Sequence, residues 1–291
     1  MDLSNRPELV YLGELAREIH SAMNDTQWLI VGATARDLLV QYVHGIQVPR
    51  ATNDIDLAIA VEDWQHFDRA RQQLLASNAV QEMPGVVHQL KFRTGMTDAL
   101  IPVDLIPFGG VEGQDGTIAW PPTGTPEMNV CGFTEALETA ETMQLPGDQL
   151  VRTINLPMLV HLKIIAGAER HPRRPGVDLS DVVFILGNYL ECGNRQRLFE
   201  EECDLLDNPA FDYEQAGAIL VGRDLARIFV ASGSNQQIEA LHGIIQSQLT
   251  NERPGPMLRQ LPARQLQESA QLLESFLHGL ESTLRNNPGG T

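Results

Sequence analysis

WLIVGATARDLLVQYVHGIQVPRATNDIDLAIA, residues 28–60, is the stretch whose reading decides the fold. An apolar run, Trp28 to Val31, breaks at Gly32 and has the length of a buried strand. A helical spacing then takes over from Ala33 and Thr34, with Leu38, Leu39, Tyr42 and Val43 as its apolar positions. A loop containing Pro49 leads into a second strand, Asp54 to Ala60. Strand residues two apart share a face, so Asp54 and Asp56 point together while Ile55, Leu57 and Ile59 point to the other side. Two adjacent carboxylates repel, and such a pair calls for water or a cation; Mg2+ takes oxygen ligands of this type. Gly32 lets a phosphate approach the backbone where a helix begins and its N–H groups and dipole favour anions. A lone D-x-D is more often a solvated strand end, and a lone strand–Gly–helix turn is commoner still. Their ordered conjunction with Arg50-x-Thr52 is what describes a metal-bound triphosphate.

Further along, Val87–Phe92 and Ala99–Pro107 read as two more strands. In the second, Asp104 is a single charge in the apolar run Pro102 to Phe108. An isolated buried carboxylate is costly, so it is paired, protonated or bound to metal, unless it sits at an exposed strand end. With Asp54 and Asp56 upstream, Asp104 reads as the third ligand of one centre. Residues 2–23 and 64–76 have helical periodicity, 109–126 is a Gly- and Pro-rich loop or loose hairpin, and a short helix at 135–140 precedes strands at 142–145 and 151–156. From Pro157 the patterns are almost wholly helical, at 157–170, 178–190, 195–205, 214–230, 236–248 and 262–285. The fold expected is therefore α+β: a core domain over 1–156, a small mixed sheet flanked by helices, then a C-terminal helical domain over 157–291.

The chain has 291 residues, long enough for two domains, and its 43% hydrophobic and 20% charged residues are those of a soluble globular protein. No apolar run approaches the roughly 20 residues that span a bilayer, and no signal peptide opens the chain, so a cytoplasmic protein without a membrane partner is expected. Cys131, Cys192 and Cys203 lack metal-ligand spacing and read as reduced thiols. The net charge of −17 argues against broad non-specific binding to nucleic acid. Its distribution is uneven: residues 101–150 hold no Lys or Arg, whereas Arg152, Lys163, Arg170, Arg173 and Arg174 stand against the single acid Glu169. Such a basic island is a candidate phosphate or RNA-backbone site. Lys163 and Arg170 share a helical face with Ala166 and Gly167; a solvated face is the bland reading. Asp178 fits the N-cap of the next helix and Asp181 its acidic first turn.

With Gly32-Ala33-Thr34-Ala35-Arg36-Asp37, Arg50-Ala51-Thr52-Asn53-Asp54-Ile55-Asp56-Leu57 and Val103-Asp104-Leu105-Ile106-Pro107-Phe108 in view, the chain resembles nucleotidyltransferases of the AbiEii/AbiGii toxin family, within the DNA polymerase beta-like superfamily. The resemblance covers about residues 27–190 and extends to Leu162-Lys163, Arg170 and Asp178-x-x-Asp181. It implies transfer of a nucleoside monophosphate from an NTP to a hydroxyl of RNA, such as a tRNA 3′ end, or of a protein, in an active site between the two domains. Asp54, Asp56 and Asp104 would hold two Mg2+ ions, with Asp104 also catalytic. Gly32, Ala33, Thr34, Arg36 and Arg50 would hold the triphosphate, and Lys163 and Asp181 would be catalytic, with Lys163 and Arg170 on the phosphates. It further implies the toxin of a two-component system, with a separate antitoxin protein. Ala33 stands where many members have Ser or Gly, leaving phosphate contact to Thr34 or to backbone, and Val177 stands where many have Lys. Those two departures support the second reading, a degenerate nucleotide-sensing or protein-binding module of the same fold.

Overall fold

The computed structural model describes residues 1–23, 25–95, 99–170, 176–207, 209–250 and 253–286, with residues 285 and 286 described by backbone alone. The chain forms two compact units, Met1–Asn155 and Leu156–Thr291.

The first unit is built on a mixed sheet. Its elements are α1 (Val10–Ala22), β1 (Trp28–Val31), α2 (Gly32–Arg36) continued by a π-helix (Asp37–Val43), β2 (Ile55–Val61), α3 (Trp64–Leu75), β3 (Val80–Glu82), β4 (Gln89–Arg93) and β5 (Leu100–Gly109). They are followed by β6 (Thr117–Ala119), β7 (Glu127–Asn129), α4 (Phe133–Glu138), β8 (Glu141–Leu145) and β9 (Gln149–Thr153). Seven strands lie in the order β3-β4-β5-β2-β1-β9-β8, with β2 parallel to β5 and β1 parallel to β9. The centre is apolar: Leu29, Ile30, Ala58, Ile59 and Leu105 are fully buried. The amphipathic helices cover it, α1 with Leu12, Leu15, Ala16 and Ile19 and α3 with Phe67, Ala70 and Leu74. Trp120, buried beside Trp64, Phe67 and His88, anchors the stretch expected as a loose hairpin, where β6 and β7 pair as a separate two-stranded sheet.

The helix expected over 2–23 starts only at Val10. Pro7 holds Arg6 extended, as the residue before a proline prefers, and Leu3 N–H donates to the Gln144 carbonyl on the sheet edge instead. β3 is a short strand without apolar alternation, Val-Gln-Glu with one buried residue, so no periodic signal marks it.

The second unit is helical: α5 (Leu156–Arg170), α6 (Val177–Asn188), α7 (Arg197–Glu200), α8 (Tyr213–Ser232), α9 (Asn235–Gln248) and α10 (Leu266–Asn286). α8 and α10 touch backbone to backbone. A Cβ on Gly222 would lie 2.2 Å from the Phe276 carbonyl oxygen, and one on Gly279 would lie 2.1 Å from that of Ile219. The helix expected over 195–205 stops at Glu200. The chain turns there to bury Glu202, which pairs with Arg223 and Arg227 of α8. Burying a carboxylate requires such partners, and that requirement overrides local helical preference.

Candidate functional site

Strand register brings two of the expected residues together. Asp56 on β2 lies directly beside Asp104 on its parallel neighbour β5. On the far side of β5 the partner of Asp104 is Gln89 of β4, and on the far side of β2 the partner of Asp56 is Val31, the last residue of β1. One row thus crosses four strands as Gln89, Asp104, Asp56 and Val31, with neighbours about 4.8 Å apart. Asp54 stands two residues before Asp56, at the entry to β2, and is half-buried like Asp56 and Asp104.

Gly32 follows Val31 and opens α2 with a φ of +65°. A Cβ there would lie 1.9 Å from Oδ2 of Asp56. Any side chain would therefore collide with the carboxylate as well as strain the backbone, and glycine alone lets the helix start close over the acid row.

Two of the acids, Asp54 and Asp104, are held by neutral donors. Thr52 Oγ1 donates to Oδ1 of Asp54 at 2.5 Å, and Gln89 Nε2 donates to Oδ1 of Asp104 at 2.6 Å. Among the described residues neither Asp54 nor Asp104 meets a lysine or arginine. Hydroxyl and amide donors orient a carboxylate without cancelling its charge. Among the described residues no three His, Cys, Asp or Glu side chains are already gathered to hold an ion. Asp54 and the row together supply hard oxygen donors, with charge uncompensated at Asp54 and Asp104 among the described residues, which is the donor chemistry Mg2+ takes.

Sequence reasoning missed Thr52 and Gln89 as partners. Thr52 lies two residues before Asp54, the spacing of a local side-chain turn, so a signal was there. Gln89 carries none, because its contact depends on cross-strand register.

The residues expected around a triphosphate have divided roles. Thr34 is buried, and its hydroxyl donates to the Asp54 carbonyl at 2.9 Å, so it ties α2 to β2. Arg36 departs from the expected phosphate contact. It is completely buried, and its Nη2 donates to Oδ1 of Asp37 at 2.5 Å and to the Arg50 carbonyl at 2.8 Å. A guanidinium out of solvent and engaged in this way braces the 46–52 loop. Ala33 is buried at the first turn of α2, and Arg50 is half-buried in the loop.

The remaining candidates belong to the helical unit and form one ion cluster. Lys163 of α5 is buried, with its Nζ 2.7 Å from Asp181 and 3.5 Å from Asp178 of α6. Arg170 Nη2 donates to both oxygens of Asp178 at 3.2 Å. Asp178 is not the N-cap expected for it: Gly176 takes that place, at a φ of +72°, and Asp178 sits inside the first turn, facing α5. Of the basic island, Arg152 is engaged by the Leu137 carbonyl, and Arg173 and Arg174 lie outside the described residues.

No protein-family model matches the chain. No curated protein matches it either. Among solved structures it is similar to an antigenic nucleotidyltransferase-like protein from Paracoccidioides brasiliensis, at 20% identity and a TM-score of 0.43, over 70% of this chain and 92% of that one. The antibiotic-resistance factor ANT(2'')-Ia gives 13% identity and a TM-score of 0.34, over 68% of this chain and 96% of the other. The Thermotoga maritima CCA-adding enzyme, solved with tRNA, gives 10% and 0.23, over 97% and 83%. Likeness this distant decides nothing about this chain; its own residues do.

Proposed function

We propose that the first unit is the catalytic core of a nucleotidyltransferase that moves a nucleoside monophosphate from an NTP to an acceptor hydroxyl. The observation that carries this reading is the in-register row of Asp104 and Asp56, with Gly32 closed over it and neutral donors on Asp104 and on neighbouring Asp54. A structural use of Asp54 and Asp104 would favour cationic partners, since neighbouring uncompensated carboxylates repel each other. Asp54, Asp56 and Asp104 would hold Mg2+. When bound, the metal offsets charge on the phosphates and on the attacking and leaving oxygens.

The chain's own part is positioning and proton handling. Backbone N–H groups at the start of α2 receive the phosphates, with Gly32 giving them room. Thr52 and Gln89 each fix one oxygen of a carboxylate and leave the other for the reaction. The acceptor oxygen attacks the α-phosphorus, the bond to the β-phosphate oxygen breaks, pyrophosphate leaves with that electron pair, and Asp104 takes the hydroxyl proton. Arg36 positions the loop that carries Thr52. The resemblance gives Lys163 and Asp181 a catalytic part; their mutual burial supports a bracing one in the helical unit.

An RNA or protein acceptor, a role as a toxin and a separate antitoxin rest on the resemblance in residues alone. The test is incubation of the full chain with each α-labelled NTP, Mg2+ and total RNA or protein. Label transferred with release of pyrophosphate is expected. NTP bound without any transfer would favour the nucleotide-sensing reading, for which Ala33 and Val177 are the support.

A further inference from the structure

We propose that the cavity between the start of α1, the π-helix and the 47–52 loop is a nucleobase-binding site. The inference rests on the nucleotidyl-transfer reading and deepens it, because the cavity adjoins the acid row: Thr34 and Thr52, which bond Asp54, form part of its wall. Its volume is about 370 Å³, within the range of small-molecule sites and large enough for a nucleoside.

The lining selects the ligand class. Tyr11, Tyr42, Gln41 and Gln47 all face the cavity, and among the described residues none of these four side chains hydrogen-bonds within the protein. Two phenols and two amides supply donors and acceptors together with aromatic faces, which matches the edges and faces of a heterocyclic base. Burial, chiefly, pushes the Tyr11 hydroxyl up to about 12, with Tyr42 and Asp37 adding to it, and Tyr42 is raised for the same leading reason. Both phenols therefore remain donors at neutral pH. The charged members of the lining are one acid, Asp37, and one cation, Arg50. That balance suits a neutral ring and gives a polyphosphate no excess of positive charge.

Local backbone geometry builds the wall. Helical hydrogen bonds in the Asp37–Val43 segment run to the fifth residue, so position five returns over the first; in an α-helix the returns come at three and four. The wider turn brings Tyr42 round to the side of Asp37 while Gln41 stays there too. Insertions of this kind recur at functional sites.

The test measures binding of ATP, GTP, CTP, UTP and inorganic triphosphate, each with Mg2+, to the full chain and to Tyr42→Ala and Gln47→Ala. Gln47 is exposed on its loop, so its replacement leaves the fold intact even if Tyr42→Ala does not fold. Tyr42→Ala should weaken the preferred NTP about tenfold, as loss of an aromatic stacking partner does. Gln47→Ala should narrow the preference among the four bases, and triphosphate affinity should be unchanged in both. A base from either source fits this chemistry: an RNA 3′ end that competes with NTP on the parent, and loses that competition in Gln47→Ala, would assign the site to the acceptor's base. Unchanged NTP affinity and base preference in the folded variants, with triphosphate still bound, would overturn the inference alone. A parent that binds neither NTP nor triphosphate would overturn the transfer reading and this one with it.

Discussion

In the sheet unit, Asp54 and Asp104 are held by the hydroxyl of Thr52 and the amide of Gln89; in the helical unit, Asp178 and Asp181 are held by Lys163 and Arg170. The residue type is the same and the partners differ. Neutral donors fix direction and leave the charge in place, so the sheet acids keep a demand for an external cation. Cationic partners satisfy the charge inside the protein, at the cost of removing two ions from water. The first arrangement is poised for a ligand, and the second closes on itself.

The largest effect that would break this contrast is on turnover. Asp56→Asn and Asp104→Asn should each lower NMP transfer on the order of 10³-fold, the several kcal/mol that a metal-holding carboxylate contributes. The thermal stability of Asp104→Asn should hold or rise, because removing one of two neighbouring like charges relieves repulsion. A variant that transfers label at the parental rate would show that the row is not the reaction centre.

The helical unit should respond in the opposite sense. Lys163→Ala takes the Lys163 ammonium away from Asp181, which is fully buried, and removing one partner of a buried pair costs about 3–5 kcal/mol. The doubly apolar Lys163→Met/Asp181→Leu should recover most of that stability. Denaturant unfolding of the full chain measures both, and transfer activity sharpens the outcome. A double variant that is stable and active makes the pair a brace. One that is stable and inactive returns Lys163 and Asp181 to the catalytic part implied by the resemblance.

These contrasts were unevenly legible in the sequence. Strand alternation was enough to predict a shared face for Asp54 and Asp56, and a charge inside Pro102–Phe108 was enough to single out Asp104 as a candidate. The α+β architecture followed from the change of period near residue 157. What decides the chemistry lies in register: Asp56 meets Asp104, 48 positions further along the chain, only because β2 and β5 pair in parallel, which no local pattern encodes. Arg36 beside Asp37 could read as a phosphate contact or an internal brace, and only burial separates the two. The π-helical register that brings Tyr42 to the cavity has no composition of its own, since Leu38, Leu39, Tyr42 and Val43 fit an ordinary helix.

The smallest effects concern pH, where the two units should differ in sign. Asp204 in the helical unit is held below the usual carboxylate range, first by its hydrogen bond from Arg223, against a smaller opposing effect of burial. Its folded value is depressed, so its contribution is present above the unfolded value of about 3.9 and is lost as pH falls through the folded one. Asp204→Asn should therefore lower Tm at pH 7 by only about 1–2 °C, since the side chain is 61% exposed and solvent screens the pair. That difference should vanish in strong acid. Glu112 in the sheet unit is raised, first by burial and also by the charge of Glu135, although the Gly109 N–H bond opposes both. A raised folded value reverses the sign: its contribution is present below the unfolded value of about 4.3 and is lost as pH rises through the folded one. Glu112→Gln keeps an oxygen for Gly109 and removes the charge, so this variant should match or exceed the parent at pH 7 and lose its advantage below about pH 4. Melting curves of the two variants from pH 3 to 7 should diverge in opposite directions from the parent. Parallel curves would mean that the acids of the two units respond alike outside the reaction centre, and would confine the contrast to Asp54, Asp56 and Asp104.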